Sequence, residues 1–338
     1  MKQLLKQKIE NENISLTVIP EIGGKISSII HKPTGFELLS QPTDGYIQPI
    51  YGDRFDRYDT SGIDEMFPAI DTSCYPLDRS LIIPDHGELW SVPWHSQVVE
   101  NCINQSVNGT AFDYTFKRDI SLYENAIRLN YKLTNNSKQK FVWLWAFHPL
   151  FACDEQSEII LPKSSRIIVV QDSKYLGKSG SIHGFPINNE GFDISKIKNR
   201  NTCNTEKFYL YQQPYRTDNS TDNDLITDND LITDNNSINL NSINNNSLSE
   251  CSITLNKNRI KLTICFDRVQ IPYLGVWINE GGFKNEFNAA LEPSTGYYDS
   301  LETAYKNNRY ITTYPLESYS WSLEIKLQGI SKKLFLAE

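Results

Sequence analysis

Short runs of alternating apolar and polar residues, separated by turns, constrain the fold of this 338-residue chain more than any other feature. Such runs lie at 14–20, 111–118, 127–133 and 320–327. A period of two places one face of a β-strand against a core, so these runs predict half-exposed antiparallel strands. Long helical patterns are scarce, and only a short helix or turn is predicted around 299–305. The sequence therefore predicts an all-β protein, built as a large sandwich or barrel.

The domain organisation predicted is one large β domain over residues 1–338, interrupted by an Asn/Asp-rich insertion at about 217–248. The 18 tyrosines, 15 phenylalanines and 6 tryptophans supply bulky side chains that suit a sheet-lined core.

Within the insertion the hexamer Thr-Asp-Asn-Asp-Leu-Ile occurs twice in succession, at 221–232. This segment is too polar to fold alone, and it lacks the glycine and distal glutamate of a calcium loop. We interpret it as a low-complexity loop between two strands.

The charge balance excludes some partners. A formal net charge of -8 and the absence of a basic stripe argue against nucleic-acid binding, which needs clustered lysine and arginine. No apolar run is long enough for a signal peptide or a membrane-spanning helix, so we expect a cytoplasmic protein with no membrane partner. The six cysteines are scattered without a Cys-x-x-Cys pair, which favours reduced thiols over a disulfide or zinc framework.

Three residues are the strongest candidates for proton-transfer chemistry. His86 lies between Asp85 and a glycine, His148 closes an apolar run before a proline, and Glu292 ends another apolar run before a proline. Burial or a neighbouring charge can move the pKa of such groups towards neutrality, which suits a general acid and a general base. Each also has a purely structural interpretation: a turn histidine, a core histidine, and a buried carboxylate paired with an arginine.

Four further residues are weaker candidates for substrate binding. Asp64 and Glu65 are adjacent acids in an apolar segment, and since successive strand residues face opposite ways, at most one is expected to reach a shared pocket. Solvated loop acids are the alternative for that pair. Trp90 and Trp277 could line a sugar site with their aromatic faces. No phosphate-binding glycine loop, nucleophile elbow or His-Glu-x-x-His pair occurs, so metal-dependent hydrolysis has little support and no metal is expected.

Taken together, three motifs resemble those of the aldose 1-epimerase (galactose mutarotase) superfamily. In order they are His-Gly at 86–87, His-Pro-Leu-Phe at 148–151, and Leu-Glu-Pro-Ser-Thr at 291–295. The segment 22–29 also resembles the opening hairpin of that family. The resemblance implies a large antiparallel β-supersandwich, galactose mutarotase-like, with an open groove for a small-molecule sugar and no cofactor. A monomer or homodimer is expected.

The resemblance also implies roles for the three candidates. Glu292 would remove the proton from the anomeric hydroxyl, His148 would protonate the ring oxygen, and His86 would bind the sugar or assist at that oxygen. The sugar-binding arginine of the family has no clear counterpart here, although Arg54 or Arg57 could lie nearby. The block containing Asp64 and Glu65 stands in its place and resembles a divergent branch of the superfamily.

Three alternatives to an aldose 1-epimerase-like isomerase remain open. The first is a carbohydrate-binding protein that keeps the groove but not turnover. The second is a glycoside-processing enzyme that uses Glu292 with Asp64 or Glu65, for which the separation of the carboxyl groups would be diagnostic. The third is specificity for a hexose phosphate, which is disfavoured because no Arg/Lys cluster accompanies the motifs.

Overall fold

The alternating runs of the sequence form antiparallel strands in the computed structural model, which describes residues 4–211, 248–257 and 259–330. The strands of the first part are β1 (Gln7–Glu10), β2 (Ile14–Ile19), β3 (Lys25–His31), β4 (Phe36–Glu37), β5 (Ile63–Met66), β6 (Ser73–Tyr75), β7 (Asp78–Ile83), β8 (His95–Val99), β9 (Cys102–Asn108), β10 (Tyr114–Tyr123), β11 (Ala126–Asn135) and β12 (Phe141–Trp143). Those that follow are β13 (Ala146–Pro149), β14 (Phe151–Ala152), β15 (Ile159–Ile160), β16 (Arg166–Val169), β17 (Ile182–Gly184), β18 (Asn204–Tyr211), β19 (Leu248–Leu255), β20 (Ile260–Asp267), β21 (Tyr273–Glu280), β22 (Phe287–Ser294), β23 (Ile311–Thr313) and β24 (Ser318–Gly329). The low-complexity segment predicted at 217–248 falls outside the described residues, apart from Leu248, which begins β19.

Two large sheets contain most of these strands. The first has twelve strands, ten of them in the order β1-β2-β3-β5-β13-β22-β21-β18-β16-β17, with β14 paired to β22 and β4 paired to β3. The second has eight strands in the order β15-β19-β20-β24-β11-β10-β9-β8. The ladders between named strands are antiparallel throughout the described part of the chain. The predicted all-β antiparallel sandwich is therefore confirmed.

The core lies between the two sheets and is rich in aromatic rings. On β11 and β24 the buried residues alternate with more exposed ones, as the period-two pattern predicted. Tyr131 and Trp321 are register partners on these strands, and their rings stack with centroids 5.3 Å apart. Trp145, on the side of the first sheet, packs 5.2 Å from Trp321. Close packing of such large side chains holds the sheets face to face.

Helical structure is minor. The one α-helix among the described residues, α1 (Leu301–Lys306), falls where a short helix or turn was predicted. Ser300 caps it by accepting a hydrogen bond from the Thr303 amide, 3.4 Å away. None of the helical segments that the structure describes has the length and apolar character needed to cross a membrane.

Candidate functional site

A cavity of about 320 Å³ lies on the face of the first sheet that is turned away from the core. Its floor comes from neighbouring strands, with Glu292 on β22, Trp277 on β21, Lys207 on β18 and His148 on β13. The intervening residues of these strands, such as Leu291, are buried in the core on the opposite face. Two loops, at 54–60 and 84–88, contribute to the walls. Alternation within the strands therefore directs polar side chains into the cavity and apolar ones into the core.

Glu292 is fully buried at the floor of the cavity and has one engaged and one bare oxygen. Lys207 Nζ donates a hydrogen bond to Oε2, whereas Oε1 has no hydrogen-bond partner among the described residues. Room for this carboxylate comes from Gly275, its register partner on β21, where a Cβ atom would lie 3.3 Å from Oε2. Burial raises the pKa of Glu292, and the Lys207 ammonium opposes that rise. Burial would also lower the pKa of Lys207, but Glu292 and Asp299 outweigh it and the pKa is raised, which keeps the lysine charged.

His148 faces this bare oxygen. Its Nε2 lies 3.9 Å from Glu292 Oε1, and its Nδ1 is buried with no hydrogen-bond partner in the described part of the protein. Strand β13 holds the ring there because it is flanked by β5 and β22 in the same sheet. Burial lowers the pKa of His148 well below its usual value, and the positive charges of His86, Lys207 and Lys25 add to this effect. The ring is therefore neutral near pH 7.

His86 reaches the cavity from a tightly constrained loop. Its own φ is 59° and that of Gly87 is 75°, both in the left-handed region. At Gly87 a Cβ atom would lie only 2.0 Å from the backbone oxygen of Phe67, so no other residue fits without moving the loop. The His86 amide also donates to the Ile70 carbonyl at 2.7 Å, and the Glu88 amide donates to the Phe67 carbonyl at 2.6 Å. These contacts fix the position of the His86 ring.

Asp85 and Phe55 determine the orientation of that ring. Asp85 Oδ1 lies 2.8 Å from His86 Nδ1, and its Oδ2 accepts a hydrogen bond from the Phe55 amide at 2.9 Å. The Phe55 and His86 rings stack with centroids 4.1 Å apart and an interplanar angle of 7°. With Nδ1 bound to Asp85, Nε2 is the nitrogen left for a ligand. The His86 and His148 ring centroids are 5.7 Å apart, so His86, His148 and Glu292 line one cavity.

The weaker candidates are placed differently from one another. Trp277 lines the cavity, whereas Asp64, Glu65 and Trp90 are not among its lining residues. Trp90 lies behind the wall, where its Nε1 donates to the Asp85 carbonyl at 2.9 Å and its ring packs edge-on to Phe55.

Asp64 and Glu65 point to opposite faces of β5, as alternation predicted, and each is held by a buried cation. Asp64 lies on the same side as its register partner His148, and its Oδ2 is 2.6 Å from Lys25 Nζ. Burial raises the pKa of Asp64 to about 6, although the Lys25 charge opposes the shift. Glu65 points into the core and accepts from Arg118 Nη1 at 2.6 Å.

Two further hydrogen bonds reach Glu65 from Tyr131 and Trp145, at 2.9 and 2.7 Å. The glutamate is on the first sheet, whereas Arg118 and Tyr131 belong to the second. This buried network therefore joins the two sheets and has no access to the cavity.

Several cavity residues were not predicted from the sequence. The main ones are Lys207, Asp85, Asn288, Glu286 and Asp299. Asp85 had a signal, because it precedes His86 directly, and so did Asn288, because a residue four before Glu292 on a strand shares its face. Lys207 had none, because its burial depends on β18 pairing with β21. Arg54 lines the cavity but pairs with Asp56, and Arg57 pairs with Asp53 at the surface.

Nowhere in residues 4–211, 248–257 and 259–330 do three histidine, cysteine, aspartate or glutamate side chains form a group that could hold a metal ion.

Solved structures with the same architecture carry mutarotase-related names. A galactose mutarotase related enzyme from Lactobacillus acidophilus aligns over 97% of this chain and 99% of its own, with 14% identity and a TM-score of 0.66. A galactose mutarotase-like protein from Clostridium acetobutylicum aligns over 98% and 100%, with 12% identity and a TM-score of 0.63. Another from Lactobacillus casei aligns over 96% and 100%, with 13% identity and a TM-score of 0.61. At these identities the likeness is one of fold, and it confirms the predicted superfamily resemblance at that level.

Sequence comparison identifies the family of this chain. No curated protein matches the chain. Residues 3–213 match a family described as Domain of unknown function (DUF5107), which covers more than half of the sequence. The chain therefore belongs to the DUF5107 family, and its fold is the galactose mutarotase-like β-sandwich.

Proposed function

We propose that this protein interconverts the α and β anomers of a free aldose by acid/base opening and closing of the sugar ring. The observation that carries the proposal is the bare Glu292 Oε1, buried in a cavity and 3.9 Å from His148 Nε2. An unpaired carboxylate oxygen in a cavity that two imidazoles also line is a suitable arrangement for moving a proton on a small polyhydroxylated ligand. The mutarotase-related names of proteins with this fold support the choice of a sugar.

In the proposed reaction Glu292 acts as the base. It takes the proton of the anomeric hydroxyl as the bond between C1 and the ring oxygen breaks, and the ring oxygen receives a proton from an acid. The open-chain aldehyde then rotates about its C1–C2 bond and closes again with the proton transfers reversed. No bond is hydrolysed and no electron is transferred, so one base and one acid suffice. Lys207 favours the ionised form of Glu292, because its charge opposes the rise in pKa that burial causes.

Of the two imidazoles, His86 is the better proton donor. Burial keeps the His148 ring neutral, so it serves as a hydrogen-bond partner to the sugar rather than as a source of protons. The carboxylate of Asp85, at 2.8 Å, is positioned to stabilise a positive charge on the His86 ring and leaves Nε2 free to donate. This assignment exchanges the roles of the two histidines that the family resemblance implied.

The glycoside-cleaving alternative has less support. It required Glu292 to act with Asp64 or Glu65 across a sugar. Those two carboxylates are held by Lys25 and Arg118, at 2.6 Å each, and neither lines the cavity.

Polarimetry of freshly dissolved α-D-glucose and α-D-galactose tests the proposal. We expect the wild type to accelerate mutarotation and Glu292→Gln to lower that rate at least about 100-fold, the range for loss of a general base. Glu10→Gln, which removes a surface carboxylate on β1, is the control and should leave the rate unchanged. His86→Gln should lower the rate more than His148→Ala does, because only His86 has a carboxylate, that of Asp85 at 2.8 Å, bound to its second ring nitrogen. A wild type that binds these sugars without accelerating mutarotation would contradict catalysis and favour recognition alone.

A further inference from the structure

The cavity extends beyond the acid/base groups along the paired strands β21 and β22. Asn279 and Asn288 are register partners on these strands and line the same cavity as Glu292. Asn288 lies four positions before Glu292, which at about 3.3 Å per residue amounts to roughly 13 Å along the strand. The cavity therefore has two polar ends on a common floor.

The second end contains a buried polar cluster with an unused acceptor. Asn288 is 1% exposed; its Nδ2 donates to Glu286 Oε2 at 3.3 Å, and its Oδ1 has no hydrogen-bond partner among the residues described. Thr60 donates to the other oxygen of Glu286. A buried acceptor without a partner costs free energy, so an oxygen-rich ligand that donates a hydroxyl to Asn288 would be stabilised there.

An aromatic surface lies between the two ends. Trp277 is partly exposed in the cavity, and Phe283 packs edge-on to it with ring centroids 6.2 Å apart. The side chain of Asn279 holds the turn that carries Phe283, because it both donates to the Phe283 carbonyl and accepts from its amide. Opposite Trp277 on β22 is the small residue Ala290, which leaves space above the floor. Such an apolar surface suits the C–H face of a sugar ring.

The length of this floor exceeds one sugar ring. A pyranose measures roughly 6 Å from O1 to O4, given bonds of about 1.5 Å, which is less than half the separation of Glu292 and Asn288. A cavity of about 320 Å³ also lies at the lower end of the range for pockets that enclose drug-sized ligands, which begins at about 300 Å³.

We propose a second sugar subsite, formed by Trp277, Glu286 and Asn288, so that the substrate is a reducing disaccharide of neutral sugars. The reducing ring lies at Glu292 and His86, and the second ring lies on Trp277 with its hydroxyls bound to Asn288 and Glu286. This inference rests on the proposed function for the identity of the reacting ring.

The test compares glucose with maltose, cellobiose and lactose as probes. With wild type we expect kcat/KM for mutarotation of at least one disaccharide to exceed that for glucose tenfold or more. Trp277→Ala and Asn288→Ala should each lower the disaccharide value at least tenfold and the glucose value less than threefold. Because glucose uses the same acid and base, it controls for misfolding of either variant. Equal losses for both sugars, or no loss for either, would overturn the subsite.

Binding to Glu292→Gln separates the two proposals. Calorimetric titration of this variant with the same three disaccharides and with glucose needs no turnover. Tighter binding of a disaccharide that Trp277→Ala weakens tenfold would support the subsite even if the wild type proved inactive, in which case only the proposed reaction fails. If no disaccharide binds more tightly than glucose, the subsite proposal fails, while the reaction is judged by polarimetry alone.

Discussion

Two buried carboxylates beside the cavity, Glu292 and Asp64, each lie against the ammonium of a buried lysine. Burial alone would favour their protonated forms, and the lysines oppose that tendency. Only Glu292 lines the cavity and keeps an oxygen directed at an imidazole. The two ion pairs are therefore chemically similar but differ in position, because one lies in the cavity and the other lies outside its lining.

Removal of the Lys207 ammonium should change the pH dependence of the reaction. In Lys207→Met the main opposition to burial is removed, so the pKa of Glu292 rises further and the acid limb of the kcat/KM profile should move to higher pH. Mutarotation rates from pH 5 to 9, with the spontaneous rate subtracted, measure this shift. Lys178→Met, which breaks a surface ion pair with Asp172, is the control. A lower rate with an unmoved limb would instead assign Lys207 to sugar binding.

Asp64 should make the stability of the protein fall as pH rises through the weakly acidic range. Its pKa is 3.8 when unfolded and about 6 when folded, so between these values the folded state holds a proton that the unfolded state lacks. Relative to Asp64→Asn, the wild type should lose about 3 kcal/mol of unfolding free energy from below pH 4 to pH 7. Urea unfolding at several pH values measures this loss, with exposed Asp172→Asn as the control. A gain for wild type over that range would mean that the Lys25 ion pair dominates.

At the scale of structural elements, the loop at 84–88 is the part of the site that depends most on backbone geometry. It brings Asp85 and His86 to the cavity by passing directly over the backbone of Phe67 at Gly87. Asp85 also holds the neighbouring loop through the Phe55 amide. A shift of one loop therefore moves the other, and with it the ring that stacks on His86.

Gly87→Ala should impair both stability and activity, whereas Gly35→Ala should affect stability alone. Both glycines have positive φ, 75° and 69°, but a Cβ atom at Gly35 meets nothing within 4 Å. Strain alone should cost Gly35→Ala about 1–2 kcal/mol. Gly87→Ala adds a clash with Phe67, so its loss of unfolding free energy should be larger and mutarotation should fall at least tenfold. Denaturant unfolding and polarimetry measure the two effects. Wild-type activity in Gly87→Ala would show that the loop can move without consequence.

The sequence could predict those structural features whose physical cause lies within one short segment of the chain. Alternation within a run is sufficient to predict strands such as β2, β11 and β24, because the period of two belongs to the strand itself. It also predicted that Asp64 and Glu65 face opposite ways. Their partners could not be predicted, because Lys25 and Arg118 are 39 and 53 residues away along the chain and are brought near only by sheet pairing and packing. The site residue Lys207 was missed for the same reason.

At the scale of the whole molecule, the buried network around Glu65 links the two sheets through the core. Arg118 is fully buried and donates to Glu65, to Gln105 and to the Gly24 carbonyl. Burial of both charges is costly, and their mutual contact offsets that cost only while both partners remain. The packing of the two sheets therefore depends on the presence of both charges, and the loss of either one should weaken it.

Arg118→Leu should lower the unfolding free energy by about 3–5 kcal/mol, the usual cost of removing one partner of a buried ion pair. The double variant Arg118→Leu/Glu65→Gln should lose less, because a neutral glutamine can still accept from Trp145 through its carbonyl oxygen and donate to the Tyr131 hydroxyl oxygen through its amide. Denaturant unfolding of both variants measures the difference. Arg128→Leu, which breaks an exposed pair with Glu324, should cost no more than about 1 kcal/mol. A double variant that is less stable than Arg118→Leu would mean that the two charges act independently.

The position of β24 has a consequence for how a cell makes this protein. This strand lies between β20 and β11 in the middle of the eight-stranded sheet, yet the ribosome synthesises it after every other strand of that sheet. The strands that form the cavity floor, of which β22 is the last, are all synthesised before β24. Until β24 appears, β11 and β20 each present an unpaired, apolar edge of the kind that joins neighbouring nascent chains. Translation speed and chaperone supply over this last stretch should therefore affect the yield of soluble protein more than conditions at its start.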